Sequence, residues 1–133
     1  MDMRFRFWIS AVLAGVILVV LIAPIQAHHS LPAYYNIEGN ISITGVMKQV
    51  KIANPHSSFL LEVTEPNGQK VTWIAVASNA TQMQRAGWTN ETIKLGTTIT
   101  IEGNPARNEN SKGILVKFFI MPDGRKFSPG KID

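Results

Sequence analysis

ISITGVMKQVK, residues 41–51, carries two alternations of apolar residues that do not share a phase. Ile41, Ile43 and Met47 fall on one; Val46 and Val50, with Ile52 just beyond, fall on the other. Gly45 stands at the change of phase. An alternation that flips within one apolar run predicts a long strand with a bulge at Gly45, and bulges bend strands. A bent strand can pair with different neighbours at its two ends, as the first strand of a small closed barrel must.

The pattern continues on either side. Phe59, Leu61 and Val63 alternate with Leu60, Glu62 and Thr64, a second strand. Pro66-Asn67-Gly68 is a hairpin turn. Val71 to Ala77 is a third strand, apolar on both phases apart from Thr72 and so expected to be buried. Asn79 and Gln82 have the spacing of a capping box, which predicts a short helix with Met83 and Ala86 inward and Gly87 at its end. Thr89 to Leu95 suits one more helical turn. Thr97 to Gly103 is the fourth strand, Asn104 to Gly113 a mobile polar loop, and Ile114 to Met121 the fifth strand. Pro122-Asp123-Gly124 turns the chain, and Arg125 to Phe127 can pair back. The fold class is therefore all-β with one short helix, in the order β-β-β-α-β-β. Short sheets avoid exposed edges by closing, so the expected architecture is a small five-stranded OB-like β-barrel over residues 41–128. Residues 28–40 are an extended N-terminal segment, since Pro32 disfavours helix, and residues 129–133 are expected to fray.

Upstream, residues 1–27 have the parts of an export signal. Arg4 and Arg6 give a basic start, Phe7 to Ala23 an uncharged apolar run, and Pro24 a break before Ile25-Gln26-Ala27. A cut after Ala27 leaves His28 first. The run also approaches membrane-spanning length, so a retained N-terminal anchor is the second reading. In both, the remainder lies outside the cytoplasm, periplasmic or secreted, and touches membrane only through a retained leader.

The 133 residues carry a net charge of +4, with no cysteine. That removes disulfides, thiol nucleophiles and cysteine-ligated metal sites. The modest, dispersed charge leads to the expectation that nucleic acid is not a partner. The motifs GxSxG, HExxH and the P-loop are absent. Ser30, Ser57 and Ser58 lie near histidines in sequence, but a triad needs an orienting carboxylate and Glu38 is the only acid nearby. The chain reads as non-catalytic. Met47, Met83 and Met121 read as core fillers, and Trp73 and Trp88 as core aromatics.

The three histidines fall at two loop-like places: His28 and His29 at the cut, and His56 in Asn54-Pro55-His56. A mature N-terminus at His28 offers its α-amine and its ring as one chelate; an ordinary α-amine pKa of about 7.7–8.0 lets a metal displace the proton near neutrality. With His56 this makes a T-shaped set of three nitrogens, and His29 is an alternative ligand. Nitrogen donors of this kind favour Cu(II), with Zn(II) second. The competing reading is a metal-free envelope module that binds a protein or small solute on the barrel face.

Five motifs in order add a family. Ala27-His28-His29-Ser30, Asn54-Pro55-His56, Gly87-Trp88-Thr89, Leu95-Gly96 before the strand TITIEG, and Pro122-Asp123-Gly124-Arg125 resemble the exported bacterial proteins of domain-of-unknown-function family 6152. The resemblance spans essentially all of the mature chain. It implies export to the periplasm and a small β-rich domain with no established activity. It also implies a mature start at His28, His29 and Ser30.

Overall fold

β1 (Ile41–Lys51) runs along two neighbours in succession. Residues 41–46 pair antiparallel with β4 (Thr98–Pro105), and residues 46–51 with β2 (Ser57–Thr64). The computed structural model describes residues 2–4, 6 and 30–130. The sheet order is β3-β2-β1-β4-β5-β6, with β3 as Lys70–Ala77, β5 as Gly113–Ile120 and β6 as Lys126–Phe127. β3 and β5 then pair parallel, Ile74 N–H donating to Lys112 O at 2.8 Å, and that pairing closes the sheet into a barrel. Five strands closed this way, with the sixth short strand appended to β5, make the OB-like barrel expected from the sequence.

The bulge is real but lies three residues beyond Gly45. Register steps from Met47 opposite Leu61 to Gln49 opposite Leu60, leaving Lys48 as the extra residue. Inward positions are accordingly 43, 45 and 47 before it, with Val50 and Ile52 packed on the core after it. Gly45 answers a different need. A Cβ there would meet Glu62 O at 2.8 Å and Val63 Cγ2 at 2.9 Å, so only glycine fits where β1 passes from one partner to the other.

The core is centred on three aromatics. Phe119 lies 4.8 Å from Phe59 and 4.7 Å from Trp88 between ring centroids. Trp88 also donates its indole N–H to Ser128 O at 3.0 Å. Met47 and Met83 are buried among these groups and Met121 packs against them, the filler role expected. The short helix α2 (Ala80–Arg85) carries Met83 into that core; the Asn79 side chain caps it by accepting from Gln82 N–H at 2.9 Å, and Gly87 follows at φ +88°.

Several local expectations are corrected. Ser30 leads into a single helical turn, α1 (Leu31–Tyr34), because proline at the first positions of a helix loses no hydrogen bond. Ala86 is exposed, and residues 89–95 form turns, held by Thr89 N–H on Thr92 Oγ1 at 2.8 Å. Asn104 and Pro105 belong to β4 and not to the following loop. β3 is less buried than its composition suggested, with Ile74 half-exposed and Trp73 only partly covered at the barrel mouth. Fraying does not begin at residue 129: Pro129 is buried, and Gly130 O accepts from the Ser78 hydroxyl at 3.1 Å.

Candidate functional site

Residues 31–39 form a strap laid across the end of β4 and the β4–β5 loop. Tyr35 bridges Ala106 in antiparallel fashion, and Asn36 N–H donates to Pro105 O at 2.9 Å. Arg107 holds α1 twice, its backbone N–H on Tyr34 O at 2.9 Å and its Nε on Pro32 O at 2.7 Å. The buried Asn104 amide donates to Ile37 O at 3.0 Å and to Gly39 O at 2.6 Å. A primary amide with two hydrogens satisfies two carbonyls at once, which is why this position suits Asn. Tyr35 is half-buried, and loss of water raises its phenol pKa above the usual value.

His56 stands on the β1–β2 loop, and that loop is fixed from both sides. Ala80 N–H donates to Ala53 O at 2.9 Å and to Asn54 Oδ1 at 3.1 Å, tying the loop to the start of α2. Ser57 is fully buried; its hydroxyl accepts from Ala53 N–H at 3.2 Å, so its oxygen closes the loop from within. The Asn54–Pro55 peptide is cis. His56 itself is exposed.

Strap and loop share a groove of about 570 Å³. Leu31, Val76 and Ala106 give it apolar walls, together with the rings of Tyr34 and Tyr35. His56, Asn108 and Ser111 are its remaining polar groups. Among the described residues no Lys, Arg, Asp or Glu lines it. A second groove of about 440 Å³ at the barrel mouth is lined by Trp73, Ile41, Arg107 and Glu109 among others. There Lys112 Nζ lies 5.6 Å from the Trp73 ring centroid and is ion-paired to Glu65 at 2.8 Å.

Of the expected metal ligands, His56 is in the groove, while His28 and His29 lie outside the described residues. Among the described residues no three potential ligand side chains are grouped. Ser57, weighed as a nucleophile, is committed to its loop. Trp88 is in the core as expected, and Trp73 divides its surface between core and groove. Sequence reasoning did not single out Asn104, Arg107, Asn108 or Ser111. They sit in a polar stretch with no period, where only the fold shows which side chains turn back to the strap.

A closed five-stranded barrel with a short helix between its third and fourth strands defines the class as an OB-type domain. The sequence model for a family of unknown function, DUF6152, matches residues 16–116, and the chain belongs to that family. No curated protein matches it. Two solved structures similar to it are both of the mitochondrial single-stranded DNA binding protein Rim1 from S. cerevisiae. The first is 15% identical, covering 63% of this chain and 92% of that one, with a TM-score of 0.49. The second is 18% identical, covering 66% and 79%, with a TM-score of 0.41. The expectation that excluded nucleic acid is corrected on this point, since both similar structures are of a single-stranded DNA binding protein. Modest net charge was too weak a ground for that exclusion. At such identities the likeness does not carry DNA binding over to this chain either.

Proposed function

We propose that this chain is an exported, non-catalytic metal-binding protein that prefers Cu(II), with Zn(II) second. The ligands are the α-amine and ring of His28 and the imidazole of His56; His29 is the alternative ligand. One convergence supports the reading: Leu31 and His56 wall the same groove. His28 is three positions before Leu31, a stretch that spans at most about 10 Å when extended. The strap is anchored just after that point by Arg107, so in this reading a chain cut after Ala27 has a start short enough to reach His56. An amine and two imidazoles are borderline nitrogen donors, and Cu(II) binds such donors most tightly among the common divalent ions.

The test is a competitive Cu(II) titration of the chain beginning at His28, of its His56→Ala variant, and of a chain with one residue added before His28. Loss of His56 or of the free amine at His28 weakens binding by more than about tenfold. Equal affinity in the His56→Ala variant removes His56 from the site.

The metal-free module is the second reading, favoured by the partly uncovered Trp73 at the barrel mouth. It predicts that solute binding quenches or shifts Trp73 emission in chelator-treated protein.

A further inference from the structure

Strand ends border the second groove, the one of about 440 Å³ at the barrel mouth. Ile41 opens β1, Pro105 closes β4 and Gly113 opens β5, and all three line it. Trp73 joins them, packed on the core with one side and facing the groove with the other. The described lining takes nothing from the β1–β2 loop, so this is not the groove at His56. Two opposite charges border the same space. Arg107 and Glu109 stand two positions apart on the β4–β5 loop, and both line the groove. Among the described residues neither forms an ion pair, with the other or with a third group. Lys112, beside the Trp73 ring, is by contrast neutralised by Glu65. Arg107 is also held in place. Its Nε donates to Pro32 O at 2.7 Å, which leaves the two terminal nitrogens, with four N–H donors, for a ligand. A ligand with one charge would serve one of these groups and set a like charge against the other. A neutral apolar ligand would cover both and pair neither, and a charge taken from water unpaired is costly. A molecule with a carboxylate and an ammonium on one carbon, and an apolar side chain beyond them, satisfies both charges and the indole together. Barrel mouths are common ligand sites, and about 440 Å³ suits one such small molecule.

We infer that the barrel mouth binds a free α-amino acid with an apolar side chain. Its carboxylate lies on the Arg107 guanidinium, its ammonium on the Glu109 carboxylate, and its side chain on Trp73 and Ile41. This site rests on the metal-free, solute-binding reading and names its solute.

The experiment is NMR titration of the protein obtained by expressing the whole 133-residue chain. Chelator is present, so that no amino acid–copper complex forms. The probes are L-leucine, N-acetyl-L-leucine and L-leucinamide; acetylation removes the ammonium, amidation removes the carboxylate, and the side chain stays the same. The expected result is saturable shifts of the Trp73 indole N–H and the Gly113 amide with leucine, and affinity lower by about tenfold for each blocked form. Glu109 is exposed, so the fold survives Glu109→Gln. That variant should weaken leucine by about tenfold and should not weaken N-acetyl-leucine, which has no ammonium to lose a partner. Equal binding of leucine and both blocked forms overturns the inference but leaves the solute-binding reading standing, with an apolar solute in place of a zwitterion. So does undiminished binding of leucine by Glu109→Gln. Trp73 and Gly113 signals unmoved by all three probes overturn the inference and count against the solute-binding reading as well.

Discussion

Gly103 is the residue at which the barrel tolerates least. It sits where β4 steps register against β5, between Glu102 and Gly103, and a Cβ there would run into the Leu115 carbonyl. A backbone carbonyl in a closed sheet has nowhere to go. Gly103→Ala should therefore cost about 3 kcal/mol or more, or prevent folding, as read by urea unfolding. Asn104, its neighbour, has a different task. Removing its amide leaves the Ile37 and Gly39 carbonyls without their donor. Asn104→Ala should cost about 1–3 kcal/mol in the same measurement and expose the strap amides to exchange. Tyr35 adds a pH dependence. Its phenol pKa is raised in the folded protein, so the neutral form favours the folded state. That stabilisation is complete below the unfolded value near 10 and is lost as pH rises through the folded pKa. An alkaline titration followed by amide exchange should find the strap loosening there, and Tyr35→Phe should abolish that response.

At the scale of elements, the strap is the unit on which the proposed function depends. It is joined to the barrel by Arg107, Asn104 and the Tyr35 bridge and carries few core contacts, the profile of a segment that opens before the whole domain does. Arg107→Ala should raise exchange at Tyr35 and Asn36 while changing the global unfolding midpoint little. It should also weaken Cu(II) binding if the strap is what brings His28 to His56. Most of the strands were legible because their periods were clear, and β2, β3 and β5 lie within two residues of where alternation put them. The strap was not. Pro32 reads as a helix breaker in isolation, and it takes a turn beginning at Leu31 to make it an N-terminal proline. The bulge was legible as a phase flip, but its position was drawn to Gly45. The flip falls at Lys48 because Gly45 is needed for close approach to β2 and not for the bend. Trp73 was assigned to the core from its apolar neighbours, yet it packs on the core with one side only and faces the groove at the barrel mouth with the other.

For the whole molecule, closure is what brings the lining of the groove into one place. The sequence separates His56 from Gly39, the end of the strap, by seventeen positions and from Asn108 and Ser111 by more than fifty. β1 turning from β4 to β2, and β3 meeting β5, set the β1–β2 and β4–β5 loops side by side over the same strands. No period in the sequence encodes that meeting, so the fold could be read ahead while the composition of the groove could not. His56 was the residue of the groove singled out beforehand as a ligand, while His28 and His29 lie outside the described residues.

That cut is the most direct point of attack. Native mass spectrometry of the protein taken from the cells that make it reports the N-terminus and any bound metal together. The account predicts a chain beginning at His28 that carries, or on titration takes up, one copper per molecule. A mass that retains Met1, or that starts beyond His28, would contradict it, because no His28 amine would then exist to stand beside His56.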